Sequence, residues 1–289
     1  MELVWLEDFI ALAEHGSFVR AADARHITQP AFSRRIRSLE QWMGVSLFVR
    51  TPQGTTLTDA GRHILASSFE ATSRLYRLRA EAQEVAGKTA KTLQFAATHS
   101  LSFTFFPRWI RQIEKGAPIE AIQLHSDSML GCEKLLVHRE VPFLLCHRHP
   151  AVPSLLAQEP FVSKQVGEDT LIALMSSTLS RDIAPHQLPY LAYTEASGLG
   201  RIVAHCLSGS AGVLALKETF SSHLAAVLMS MASEGKGVAW LPKSLAEQEI
   251  SDGRLVRVLD ESWDIDVQIH LTRPVAPLSS AAEEFWARV

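Results

Sequence analysis

Along the first sixty residues, apolar positions recur at helical spacing. Leu3, Leu6, Phe9, Ile10 and Ala13 form one stripe, which "HGSF" interrupts. Ser17 is placed to N-cap a short helix, "FVRAADAR". After His26 and Ile27, Thr28 is placed as a second N-cap. Pro30 falls in the first turn that follows, where a missing N–H costs little. Phe32, Ile36 and Leu39 then lie within about 60° of one another on a helical wheel, with Arg34 and Arg37 on the far side. Helix, tight turn and helix predict a helix-turn-helix. "VSLFVRTPQGTTLT" reads as two short extended runs joined by "PQG", a hairpin wing.

Residues 59–85 contain no proline and one early glycine, Gly61. Ile64, Ser68, Ala71, Leu75, Leu78, Ala82 and Val85 step by four and three alternately. This is a heptad seam, thin at Ser68 and Ala71, on a helix of roughly 40 Å at 1.5 Å per residue. Such a stripe calls for a partner helix, with Ile64, Leu75, Leu78, Ala82 and Val85 as the dimerisation contacts; the alternative is packing on its own domain. "GKTAKT" then reads as a hinge.

Beyond the hinge, strand and helix patterns alternate. The expected strands are "TLQFAAT", "IEAIQL", "PFLLCH", "TLIALM", "PYLAY", "VLALKET" and "GVAWLP". The expected helices are "FPRWIRQIEKG", "MLGCEKLLVH", "LGRIVAHCL" and "SSHLAAVLMSMASEG". Repetition of this kind predicts an α/β domain with largely parallel sheets.

Composition adds few surprises. The 289 residues suggest about two domains, and with 47% apolar and 20% charged residues a sizeable core is expected. No apolar run approaches the ~20 residues of a membrane span, and the acidic N-terminus lacks the marks of a signal peptide. Cys132, Cys146 and Cys206 are an odd, scattered set without a CxxC pair. They point to a reducing cytoplasm rather than to disulfides or structural zinc. Charge changes the picture more. The chain carries −3 overall, yet residues 17–55 hold six arginines against two acids, a local +4. A basic module on a slightly acidic protein points to a polyanionic partner for one domain only.

The chemistry of the basic helix follows from its spacing. Arg34 and Arg37 are placed to reach phosphates or guanine edges in a major groove. Thr28, Gln29, Pro30 and Ser33 stand at the helix start, where Gln29 and Ser33 supply hydrogen bonds. Arg50 on the wing and the free N–H groups of the helix would hold the backbone. Arg35 lies nearer the core edge. The bland alternative is a solvated basic face.

"SFVRAADARHITQPAFSRRIRSLEQWMGVSLFVRTPQGTTLTDAG" resembles the N-terminal domain of LysR-type transcriptional regulators, with "QPAFSRRIRSLE", "GVSLFVR" and "LTDAG" in the family's order. The resemblance implies a winged helix-turn-helix over residues 1–58, a dimerising linker helix over 59–87, a hinge at 88–91 and an effector-binding domain over 92–289. It implies that the effector domain has two α/β lobes of periplasmic-binding-protein type flanking a cleft. The chain would cross between them near residues 163–166 and 265–268, giving lobes of 92–163 plus 268–289 and of 164–267. The partners implied are promoter DNA, a small-molecule or oxidant effector, RNA polymerase, and other copies of the chain in a dimer or tetramer. Within the family, "AATHSLSFTFFP", "SGLGRIVAHCLS" and "GKGVAWLPKSLAEQEISDGRLV" are similar to hypochlorite-responsive regulators, in which sensing proceeds by methionine oxidation. Met129, Met175, Met229 and Met231 fall in the effector region without aligning to sensing positions.

In the effector domain, "THSLS" follows a strand and opens a helix. Thr98, His99, Ser100 and Ser102 there gather hydroxyls and N–H groups at a positive helix end, an anion seat. The family resemblance places this turn in the inducer cleft, with "TEASGLGR" beside it, adding Thr194 and Arg201. The alternatives are a plain helix cap for the hydroxyls, and a surface acid as the partner of Arg201. "HRH" at 147–149 reads as a polar loop rather than a metal site, since no acid or cysteine stands at ligand spacing. "SGLGR" lacks the context of a dinucleotide site. The cysteines, Met229, Met231 and Trp240 read as packing. No metal, cofactor or catalytic constellation emerges. The rival class is a solute-binding or enzymatic α/β protein with an incidental basic N-terminus.

Overall fold

The computed structural model describes residues 1–51, 54–86, 92–116, 118–157, 159–179, 189–208 and 216–289. The chain divides into two compact units, 1–88 and 89–289. The expected hinge at 88–91 lies outside the described residues.

The first unit is built from α1 (Leu3–His15), α2 (Phe18–Ala24), α3 (Gln29–Met43), a two-stranded wing of β1 (Phe48–Thr51) and β2 (Gly54–Leu57), and the long α4 (Asp59–Val85). The wing is antiparallel, Phe48 opposite Leu57 and Thr51 opposite Gly54. Phe9, Leu12, Phe32, Ile36, Leu39 and Leu47 are the fully buried centre. Ser17 and Thr28 occupy the N-cap positions of α2 and α3, but neither side chain makes a capping bond. Gly44 ends α3 with φ +73°, a left-handed conformation that glycine adopts without strain. Gly61 is required for a different reason: a Cβ there would stand 2.3 Å from the Leu47 carbonyl oxygen where α4 leaves the wing.

Beneath the helices lies an ionic knot. Asp8 on α1 is fully buried and accepts from Arg25 Nε at 2.9 Å and Arg35 Nη1 at 3.4 Å. Arg25 also bonds Glu7, which accepts from Tyr76 on α4. A buried carboxylate needs such partners, so Arg35 is committed to the fold. Glu40 ties α3 to the wing by accepting from the Leu47 and Phe48 N–H groups at 2.8 and 3.2 Å.

The seam on α4 divides in two. Ile64 is half-buried against the core of this unit, beside Leu65, and Ser68 is buried with its hydroxyl on the Ile64 carbonyl. Ile64 thus spends part of its apolar surface within its own domain. Leu75 and Leu78 are 46% and 53% exposed, and Ala82 is exposed. The Val85 side chain lies outside the described residues.

The second unit centres on a seven-stranded sheet made of β3 (Thr92–Thr98), β4 (Ala121–Asp127), β5 (Phe143–Arg148), β6 (Phe161–Ser176), β9 (Ala239–Pro242), β10 (Leu255–Arg257) and β11 (Ile265–Pro274). The path runs β10-β6-β11-β5-β3-β4, with β9 also on β6. A parallel pair, β7 (Pro189–Tyr193) and β8 (Lys217–Ser222), joins through a bridge from Tyr190 to Val238. Around the strands stand α5 (His99–Thr104), α6 (Phe106–Glu114), α7 (Met129–Val137), α8 (Gly198–Ser208), α9 (Ala225–Ser233), α10 (Lys243–Ser251) and α11 (Ser280–Arg288).

Two cores separate two lobes, one around Phe95, Phe143 and Phe285, the other around Leu171, Val203 and Trp240. β6 and β11 run through both, paired antiparallel from Ile265 opposite Leu171 to Pro274 opposite Phe161. The β11 residues from Gln268 to Thr272 also pair with β5, and the last third of β6 pairs with β9 and β10.

The expectation of largely parallel sheets is therefore corrected. β3 is parallel to β4 and β5, but every other pairing in the large sheet is antiparallel, because β6 and β11 carry the chain between lobes in opposite directions. Four elements lie beyond the expected set: α10, β10, β11 and α11. The helix expected from Ser221 begins at Ala225, because Ser221 and Ser222 are still paired in β8.

Candidate functional site

In the first unit, α3 presents Thr28, Pro30, Arg34 and Arg37 as exposed residues. Neither Arg34 nor Arg37 makes an ion pair among the described residues. Their charge is thus available at the surface, in contrast to Arg25 and Arg35. Gln29 donates through Nε2 to Ser33 Oγ at 2.9 Å, and Ser33 is only 7% exposed. Ser33 therefore holds the Gln29 amide at the start of the helix. The backbone of Arg50 pairs with Thr55 in the wing, and its side chain lies outside the described residues.

In the second unit, the carboxyl ends of β3, β4 and β5 face the other lobe across a small, partly open cavity of about 20 Å³. That is room for a single water-sized occupant. One lobe lines it with Thr98, His99, Ser100, Asp127, Ser128, Met129 and His147, the other with Ser197, Gly198, Leu199, His223 and Ala225. These include the first residues of α5, α7, α8 and α9, so four helix starts converge on one point. Helix starts carry unsatisfied N–H groups and partial positive charge.

The polar groups of the cavity are under-used. Thr98 Oγ1 and both ring nitrogens of His147 are buried with no partner. A buried polar atom without a bond costs about 1–3 kcal/mol, which an occupant offering hydrogen bonds removes. Burial pushes the His147 imidazole down to about 4, despite Asp169 at 4.0 Å. Burial also lowers His99, and His223 adds to this while Asp127 opposes it. The His99 and His223 rings face each other across the lobes with centroids 5.7 Å apart.

The remaining expected residues are placed otherwise. Ser102 Oγ points back to Ser126 Oγ at 2.9 Å and to the Thr98 carbonyl at 3.2 Å. Thr194 is not among the lining residues; its N–H donates to the Ser222 carbonyl. Arg201 is bidentate on Glu133, Nη1 to Oε1 at 2.8 Å and Nη2 to Oε2 at 2.9 Å. A carboxylate from the opposite lobe thus fills the Arg201 fork, as in the acid-pairing alternative. The Leu130 N–H also reaches across, to the Ala196 carbonyl at 3.3 Å.

Residues 3–62 match the bacterial regulatory helix-turn-helix proteins of the lysR family, and residues 86–289 match the LysR substrate binding domain. The chain belongs to the LysR family. It is a LysR-type DNA-binding transcriptional regulator with an effector-binding domain. The HTH-type transcriptional regulator YjiE of Escherichia coli K12 is 30% identical over 99% of this chain and 93% of its own length. The full-length structure of HypT from Salmonella typhimurium, a hypochlorite-specific LysR-type regulator, is 28% identical. It covers 100% of this chain and 97% of its own, with a TM-score of 0.59. DarR of Vibrio fischeri, solved in complex with DNA, is 26% identical over 99% of this chain and 97% of its own, with a TM-score of 0.57.

Of the cavity lining of this LysR-type regulator, sequence reasoning named Thr98, His99 and Ser100 and pointed to the segment holding Ser197, Gly198 and Leu199. It missed Asp127, Ser128, Met129, His147, His223 and Ala225. "SDSM" after a strand had the same form as "THSLS", a signal that was available. His147 had none: "HRH" reads as a loop, yet His147 and Arg148 are the last residues of β5. No group of three metal-binding side chains is found among the described residues. Burial pushes the Cys132 and Cys146 thiols up to about 12, which makes them poor nucleophiles.

Proposed function

We propose that this LysR-type regulator reads promoter DNA with the first half of α3 and is switched by a compact, polar effector held between its lobes. The carrying observation for the first part is the pair Arg34 and Arg37, exposed and without ion pairs among the described residues. With Thr28 and Gln29 they meet phosphates and base edges in a major groove, and Arg50 joins from the wing. Leu75, Leu78, Ala82 and Val85 pair two copies so that two heads reach successive half-sites, and further pairing makes a tetramer.

For the effector, support comes from the 20 Å³ cavity with its converging helix starts and unpartnered Thr98 and His147. Its small size suits a compact anion such as a halide or a hypohalite. The likeness to HypT supports an oxidant, as does Met129, which lines the cavity and is buried. A thioether there takes the oxygen of hypochlorous acid to give a sulfoxide, releasing chloride and a proton.

A salt series on a promoter fragment tests the DNA reading. Binding is expected to weaken steeply with salt, and Arg34→Ala with Arg37→Ala to shrink the slope by about two, one per lost phosphate contact. Salt-insensitive binding, or binding untouched by the double change, refutes it. For the effector, hypochlorite treatment followed by peptide mass mapping is expected to place one added oxygen on Met129 before Met175, which lies fully inside the lobe core.

A further inference from the structure

We infer that the interlobe cavity takes up its anion together with a proton, and that His99 is the residue that accepts it. This rests on the cavity being the effector site. The regulator would then respond to the product of anion and proton activities.

Three imidazoles meet at a space that holds one small occupant: His99 after β3, His147 on β5 and His223 between β8 and α9. The groups around them set the charge. His99 faces Ser126, whose Oγ is 3.0 Å from its Nδ1, with Asp127 on the same strand and His223 opposite. His147 has Asp169 of β6 at 4.0 Å. Arg201 and Glu133 close on each other and leave little net charge. Around His99, burial, the facing His223 ring and the starts of α7, α8 and α9 disfavour an imidazolium, and Asp127 favours one.

An anion at the centre reverses those signs. It is attracted by the helix starts and by Thr98 Oγ1, against the Asp127 carboxylate that also lines the cavity, and it favours the charged form of His99. His147, the deepest ring, remains the neutral partner and donates one N–H from either nitrogen, both of which are unpartnered. The sign follows from linkage. Binding raises the His99 pKa, so a proton is taken up on binding and affinity climbs as pH falls. The climb starts at the bound-state pKa and levels off below the free-state one.

Sodium bromide, titrated calorimetrically into the full chain between pH 8 and pH 5.5 at constant ionic strength, tests this. Bromide affinity is expected to rise about tenfold per pH unit for each proton taken up. At fixed pH, the measured heat is expected to vary with the ionisation heat of the buffer by the same proton number. That second readout needs no variant. His99→Gln is expected to flatten the pH dependence, while Thr98→Val weakens bromide equally at every pH. Bromide binding with constant affinity and buffer-independent heat overturns the proton uptake and leaves the cavity as the effector site. Bromide failing to bind at any pH overturns the cavity reading and this inference with it.

Discussion

At the scale of single residues, identity mattered less than what each charge found to pair with. Arg25, Arg34, Arg35 and Arg37 are alike in the sequence, yet two are spent on the buried Asp8 and two remain at the surface. His147 has an equally definite consequence. Its folded pKa, held down by burial, lies below the ordinary imidazole value near 6.5. The unfolded chain therefore binds the extra proton first, and stability is full above pH 6.5 and falls as pH drops towards 4. Thermal melts of the effector unit are expected to lose roughly 1–3 kcal/mol between pH 7 and pH 5, and His147→Gln to remove most of that loss. A pH-independent difference between the two proteins would contradict the assignment.

At the scale of elements, α4 shows how one periodic stripe serves two purposes. Its first heptad packs on α1 and the wing, and the exposed Leu75 and Leu78 follow. Leu75→Glu with Leu78→Glu is expected to shift the chain to monomer by light scattering while the melting of the first unit stays within a degree or two. Ile64→Ala is expected to do the reverse, costing about 2–3 kcal/mol of domain stability with the oligomer retained. The helices of the first unit were readable because their caps, breaks and apolar period are local: Gly44 after Met43, and Phe32, Ile36 and Leu39 on one face. β6 was readable only as "TLIALM", its fully buried end. Its first ten residues are half-exposed and carry Ser163, Lys164, Gln165, Glu168 and Asp169, and only pairing with β11 makes them a strand.

At the scale of the whole molecule, the described contacts of the effector unit join its two lobes through few polar ties. The Arg201–Glu133 fork is the strongest. Glu133 is nearly buried and Arg201 about a third exposed. Arg201→Ala leaves a carboxylate without its partner, so a loss of about 1–3 kcal/mol in the unfolding of this unit is expected. Adding Glu133→Gln should restore most of it. Scattering curves of the isolated pair of changes should also broaden if the fork holds the lobes closed, and identical curves would deny it that role.

The primary structure alone determined the local grammar of this protein: where the helices of the first unit start and stop, which face of α3 is basic, and that a long amphipathic helix separates two kinds of domain. Those features depend on spacings of a few residues, which a linear pattern carries completely. Tertiary structure alone decided which charges are neutralised, as with Arg35 and Arg201, and which lone imidazoles become a cluster, as with His99, His147 and His223. Such outcomes join residues up to 124 positions apart, from His99 to His223. Burial then sets their energies, and burial is a property of the packed chain and not of any segment of it.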